Sequence, residues 1–106
     1  MYMSSIDLSE IQGFDWDQGN LDKNEKKHGV TWSECEEIFN NKPLVIVPDF
    51  LHSDVEKRYQ AFGVTNNNKQ LTLIVTLRGN YVRVISARLQ NKKERQKYES
   101  ITNLPR

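Results

Sequence analysis

The sequence contains one cysteine, Cys35, among 106 residues. That excludes an internal disulfide framework and any cysteine-rich zinc site. Histidine is almost as scarce, with only His28 and His52. No run approaches 18 apolar residues, so no membrane-spanning helix is expected. The opening "MYMSSIDLSEIQ" lacks the basic and apolar regions of a signal peptide. No P-loop or dinucleotide glycine pattern occurs. These absences lead to the expectation of a cytoplasmic protein with no metal, no cofactor and no membrane partner. Hydrophobic residues make up 37% of the chain, which suits one modest core and one domain.

Acid is scarce in one half only. Residues 1–56 hold 12 acidic and 4 basic side chains, net −8, whereas residues 57–106 hold 2 acidic and 11 basic, net +9. Such a split points to an anionic partner for the basic half, or to two halves that neutralise each other.

Residues 1–13 show no period and read as a poorly ordered extension; residues 14–106 read as the domain. "FDWD", 14–17, alternates apolar and acidic residues, as a short strand or its entry does. A first helix is expected over about 19–28, with Gly29 as its C-terminal glycine. Thr31 and Glu34 form a capping-box pattern before a second helix, whose stripe is Trp32, Cys35, Ile38 and Phe39. "LVIV", 44–47, is a short strand, followed by strands at 57–65, 70–78 and 81–88. Gly79-Asn80 suits a type II′ hairpin turn. That turn sets Arg78 opposite Tyr81, Thr76 opposite Arg83 and Ile74 opposite Ile85. A four-residue "NNNK" loop would put Phe62 and Val64 on the core face and Tyr59 on the other, beside Thr72, Thr76, Arg78, Tyr81 and Arg83. Asn91 caps a last helix over 92–100. The expectation is an α+β domain: a small antiparallel sheet of about four strands, two N-terminal helices on one face, and a C-terminal helix.

Asp49, His52, Asp54 and Glu56 cluster in one loop, but their spacing matches no specific metal motif; a solvated acidic loop beside Arg58 explains them as simply. Cys35 lies on an apolar stripe, which suits core rather than a nucleophile. Arg78, Tyr81, Arg83 and Tyr59 interleave cations with aromatics. Arginine holds phosphate through paired donors and tyrosine stacks on unpaired bases. A half-solvated sheet face also carries such residues. Composition leaves these two readings open.

Four stretches, "FDWD", "NEKKHGVTWSECEEIF", "PDFLHSDVEKRYQAFG" and "VRVISARLQNKKERQKYE", occur in the order and character of the BrnT toxins. The chain resembles that family over about residues 14–99. The resemblance implies a bacterial type II toxin with a RelE-like fold that cleaves RNA without a metal. It implies neutralisation by a BrnA-like antitoxin, and contact with operator DNA only through the antitoxin complex. The motif positions carried over are His28, Asp49, His52, Glu56, Arg58, Arg88, Glu94, Arg95 and Tyr98. A catalytically silent binding module, paired with a DNA-binding antitoxin, is the alternative. A structural domain whose halves neutralise each other is a third.

Metal-free RNA cleavage needs the 2′-hydroxyl deprotonated, the pentavalent phosphate stabilised and the leaving oxygen protonated. Arginine supplies the electrostatic part, and histidine or tyrosine moves protons. The expected register separates Arg58 from Arg88 by six residues along the sheet, roughly 20 Å. The Arg88 end is preferred, because the last helix brings Lys92, Lys93, Arg95 and Tyr98 to the same edge. The expected catalytic set is Arg88, Tyr98, Arg95 and His28. The expected RNA track is Arg83, Tyr81, Arg78, Tyr59, Lys92 and Lys93. Asp49, His52, Glu56 and Arg58 are either loop-holding or catalytic. Ion pairs from Arg88 to Asp49 or Glu56 and from Arg95 to Glu99, and a helix-end role for His28, are the structural explanations of the same residues.

Overall fold

The computed structural model describes residues 8–17, 25–49 and 56–103. Five strands form one sheet: β1 (Gly13–Phe14), β2 (Val45–Pro48), β3 (Arg58–Val64), β4 (Gln70–Arg78) and β5 (Tyr81–Leu89). Their order is β1-β5-β4-β3-β2. β1 runs parallel to β5, and every other pairing is antiparallel. Helix α1 covers Trp32–Asn40 and α2 covers Lys92–Thr102. The architecture is α+β, as expected, but the sheet is mixed and five-stranded rather than four-stranded and antiparallel. The added strand is Gly13–Phe14, which lies against the far edge of β5 and takes in only the first residue of the expected "FDWD" strand.

Local chemistry explains most boundaries. Residues 25–28 are helical, and Gly29 follows at φ +71°, the left-handed cap that glycine adopts freely. The rest of the expected first helix, 19–24, lies outside the described residues. Thr31 accepts from Glu34 N and Thr31 N donates to the Glu34 carboxylate, so the capping box starts α1. Asn91 and Glu94 do the same for α2. Gly79 takes φ +61°, and Asn80 stays outside the positive-φ region, which suits the expected type II′ turn. Upstream, Leu8–Glu10 form a 3₁₀ turn and Ile11 packs against the core.

The core lies between α1 and one face of the sheet. Cys35 and Ile38 of α1 meet Tyr59, Ala61, Leu71, Leu73, Val75, Val82 and Val84. Trp32, expected on the apolar stripe, is exposed at the first turn. Gly63 lets the helix approach: a Cβ there would sit 2.7 Å from Ile38 Cβ.

Two register features differ from expectation. The β3–β4 connection is one residue longer than "NNNK", because Thr65 N donates to Lys69 O and Val64 pairs with Gln70. Asn68 takes φ +67° inside that loop. One residue of slip turns a strand over. Tyr59 therefore pairs with Val75 and is buried in the core, while Arg58, Gln60 and Phe62 point to the other face. The second feature is a bulge in β5. Ser86 stands opposite Ile74 and Val84 opposite Val75, so Ile85 is an extra residue. The expected Ile74–Ile85 pair does not form; Arg78–Tyr81 and Thr76–Arg83 do.

The helices do not share a face. α2 crosses the side of the sheet opposite α1. Thr72 Oγ1 donates to Glu94, Gln70 donates to Glu99, and Tyr98 and Ile101 border a groove with Val45, Val47 and Phe62.

Candidate nucleic-acid interface

The bulge decides what the outer face carries. Arg83 and Arg88 are five residues apart, an odd spacing that strict alternation sends to opposite faces. The extra residue restores the phase. Arg83 stands opposite Thr76, which stands opposite Arg58; Arg88 stands opposite Thr72, which stands opposite Phe62. Arg58, Arg78, Arg83 and Arg88 thus come from three strands to one face, the face that α2 only partly covers. Tyr81 joins them opposite Arg78 and is 44% exposed. The rows of Arg58 and Arg88 are four residues apart along β4 (Thr76 to Thr72), about 13 Å, rather than six. The phase break in "VRVISARL", where apolar positions move from 82 and 84 to 87 and 89, was the available signal for the bulge.

Each arginine has its own surroundings. Arg88 NH1 and NH2 donate to the two oxygens of Glu94 at 2.7 and 3.0 Å, a forked pair. NH1 also lies 3.3 Å from Leu89 O. Glu94 is held on every side. Burial alone would raise its pKa, but Arg88, the Asn91 N–H and the Thr72 hydroxyl together hold it below the ordinary carboxylate value. Glu94 in turn raises Arg88. Arg83 is engaged from the opposite edge, by Asp17 and, at 3.6 Å, by Asp15. The Asp17 contact raises the Arg83 pKa. Register sets Asp49 beside Arg58, because Asp49 N donates to Arg58 O at 2.9 Å, and Asp49 is buried.

α2 presents the rest of the expected set. Tyr98 is 3% exposed and its hydroxyl donates to Pro43 O; burial pushes its pKa up to about 12. Arg88 and Tyr98 lie on the same side of the sheet, but Glu94 occupies one and Pro43 the other. Arg95 donates to Gln90 O at 3.1 Å, across the junction of β5 and α2. Lys92 and Lys93 are exposed on the first turn. His28 is exposed at the end of the 25–28 helical residues, and Glu56 is half-buried just before β3. His52 and Asp54 lie outside the described residues. Tyr59, expected on the RNA track, is in the core for the register reason given above. Asp15 and Asp17, which touch the arginine face, belong to no expected site; the alternation of "FDWD" sets both acids on one side, but only the pairing of β1 with β5 brings them to Arg83.

The two halves of the chain do meet. Arg83 pairs with Asp15 and Asp17, and Lys69 pairs with Glu34 at 2.9 Å. Of the acidic patch on α1, Glu36 accepts from Trp16 Nε1 and Glu37 accepts from Asn66 N. Among the described residues no helix is long and apolar enough to cross a membrane. Buried Cys35 is pushed up to about 12, first by burial and then by Glu34 and Glu36, which removes thiolate chemistry at ordinary pH.

Residues 16–94 match the model of one protein family, described as the ribonuclease toxin BrnT of type II toxin–antitoxin systems. No individual curated protein matches the chain.

Proposed function

Because the chain belongs to the BrnT family of type II ribonuclease toxins, we propose that it is a metal-independent endoribonuclease whose RNA surface is the arginine face of the sheet. The observation that carries this reading is the convergence of Arg58, Arg78, Arg83 and Arg88 on one face through the β5 bulge. A pentavalent phosphate carries extra negative charge, and fixed guanidinium donors stabilise it at roughly 3–4 kcal/mol per well-placed donor.

Arg88 is the preferred phosphorane donor. Glu94 and Leu89 O take three of its five N–H groups, so Nε–H and one NH2 hydrogen remain among the described residues. Glu94 thereby fixes the guanidinium plane instead of cancelling its use. Arg78, Tyr81, Lys92 and Lys93 extend the path along the strand ends and the start of α2, and Arg95 braces the β5–α2 junction. Tyr98, with its hydroxyl committed to Pro43, fastens α2 to the chain entering β2. Proton transfer is assigned to His28 on its motif position, where the imidazole is exposed. Asp49 holds the strand entry beside Arg58 through its backbone N–H; Glu56 keeps its motif position just before β3. The partner that silences the enzyme is a BrnA-like antitoxin, and operator DNA is reached only through that complex.

The test is cleavage of single-stranded RNA by purified, antitoxin-free protein with EDTA present. Product formation is expected. Complete dependence on an added divalent metal would overturn the metal-free mechanism. A folded protein that binds antitoxin and leaves RNA intact would favour the silent binding module.

A further inference from the structure

Asp15 and Asp17 stand on the arginine face without belonging to any element of the proposed chemistry. Gly13–Phe14 pairs with Tyr81–Val82, and Asp15 N donates to Val82 O. The strand entry is anchored from the opposite side of the sheet. Phe14 packs edge-on against Phe39 at 5.2 Å, Trp16 stacks on Phe14 at 6.0 Å, and Trp16 Nε1 donates to Glu36. Alternation then delivers both carboxylates to Arg83. The arginine side chain is 17% exposed, whereas Asp15 and Asp17 are 40% and 53% exposed. The carboxylates are therefore the solvated, replaceable partners, and the guanidinium is the fixed one.

We propose that Asp15 and Asp17 form a carboxylate clasp that competes with RNA phosphate for Arg83 and so limits how strongly the face grips RNA. This rests on the reading of the arginine face as the RNA surface. Chemically, phosphate and carboxylate use the same forked donors of arginine. An exposed ion pair is held weakly and is screened by salt, so a phosphate can displace it. Two negative charges at the end of the arginine row also repel a passing backbone. The clasp favours RNA that places no phosphate at Arg83 and disfavours indiscriminate binding of any polyanion. Asp15 and Asp17 are thus specificity-determining residues for the proposed substrate rather than catalytic ones. Their removal leaves the aromatic anchors, and hence β1, in place.

The test uses the full chain and a single-stranded 2′-O-methyl RNA oligonucleotide, which lacks the attacking hydroxyl and stays intact. Binding is followed by fluorescence anisotropy across a salt series for wild type, D15N/D17N, R83Q and the triple variant. Freed Arg83 adds one phosphate contact. The slope of log K against log salt should become steeper by about 0.7 in D15N/D17N, the increment for one contact to a single strand. In the R83Q background the same two substitutions should add no such increment. Equal slopes for wild type and D15N/D17N would overturn the clasp while leaving the RNA surface intact. An equal gain with and without Arg83 would also overturn it, showing general charge repulsion instead. If neither protein binds the oligonucleotide, the arginine face is not the RNA surface and the clasp falls with it. Thermal melts of all four proteins verify that β1 stays docked.

Discussion

Arg83 and Arg88 lie on one strand and one face, and each meets acid, yet the two pairs are built differently. Arg88 meets Glu94, six residues away, whose carboxylate is also bound by Thr72 and by the Asn91 N–H that starts α2. Arg83 meets Asp17, 66 residues away, in the irregular stretch that follows the two-residue edge strand β1, and the Asp15 and Asp17 carboxylates are half-exposed. The first pair is a joint: it ties the sheet, the helix cap and the arginine together. The second is a cover. Side chains of the same type thus serve rigidity at one edge and exchange at the other, and the exposure of the carboxylate partner decides which.

The largest expected effect is on turnover at the Arg88 edge. Arg88→Ala should slow single-turnover cleavage several-hundred-fold, roughly 3–4 kcal/mol, once rates are corrected for the folded fraction. Normal cleavage by the folded fraction would make the Arg88–Glu94 pair purely structural. Next in size is the joint itself. Glu94→Ala removes the forked pair, the Thr72 bond and half of the capping box; about 2–3 kcal/mol of stability should be lost, after allowing for the partial exposure of Arg88. Denaturant midpoints check this, and a loss no greater than that of an ordinary surface substitution would erase the contrast between the two edges.

The same carboxylate predicts a pH effect. Glu94 has a folded value below its ordinary 4.5. Its contribution is therefore complete above the unfolded value and is lost as pH falls through the lower folded one. Melting temperatures followed from about pH 6 downward should fall more steeply in wild type than in Glu94→Gln, which keeps the capping-box geometry but has no charge to lose. Parallel curves would remove Glu94 as the cause.

Smaller still, Tyr98→Phe should cost about 1 kcal/mol through the lost bond to Pro43 and leave cleavage within a few-fold. A loss of about 100-fold with a normal melt would return Tyr98 to proton transfer. At the Arg83 edge, D15N/D17N should change the melt no more than ordinary exposed substitutions do. A marked destabilisation there would mean that the acids hold β1 and are not a replaceable cover.

Local chemistry was legible throughout. Thr31 with Glu34, Asn91 with Glu94, Gly29 and Gly79-Asn80 each act over a few residues, and each does in the structure what its spacing implies. The charge split was legible too: arginines gather on one face, and acids from the first half meet one of them, as the reading of two facing halves implies. What single-residue offsets control was not legible. One extra residue in the 65–69 turn carried Tyr59 into the core and Arg58 out of it. One extra residue at Ile85 put Arg83 and Arg88 on the same face. The parallel placement of β1, and with it the carboxylates on Arg83, joins residues too far apart for any local pattern.

The sequence by itself therefore determined the elements, their caps and the chemistry available, because helix propensity, capping and turn geometry depend on neighbours three or four positions away. Only the tertiary structure decided which arginines share a face, which carboxylates reach them and which side α2 covers. The reason is the two-residue period of a strand: side-chain direction reverses with every unit of slip, and the packing of Cys35 and Ile38 against Ala61, Leu71 and Leu73 selects the one register that buries them all.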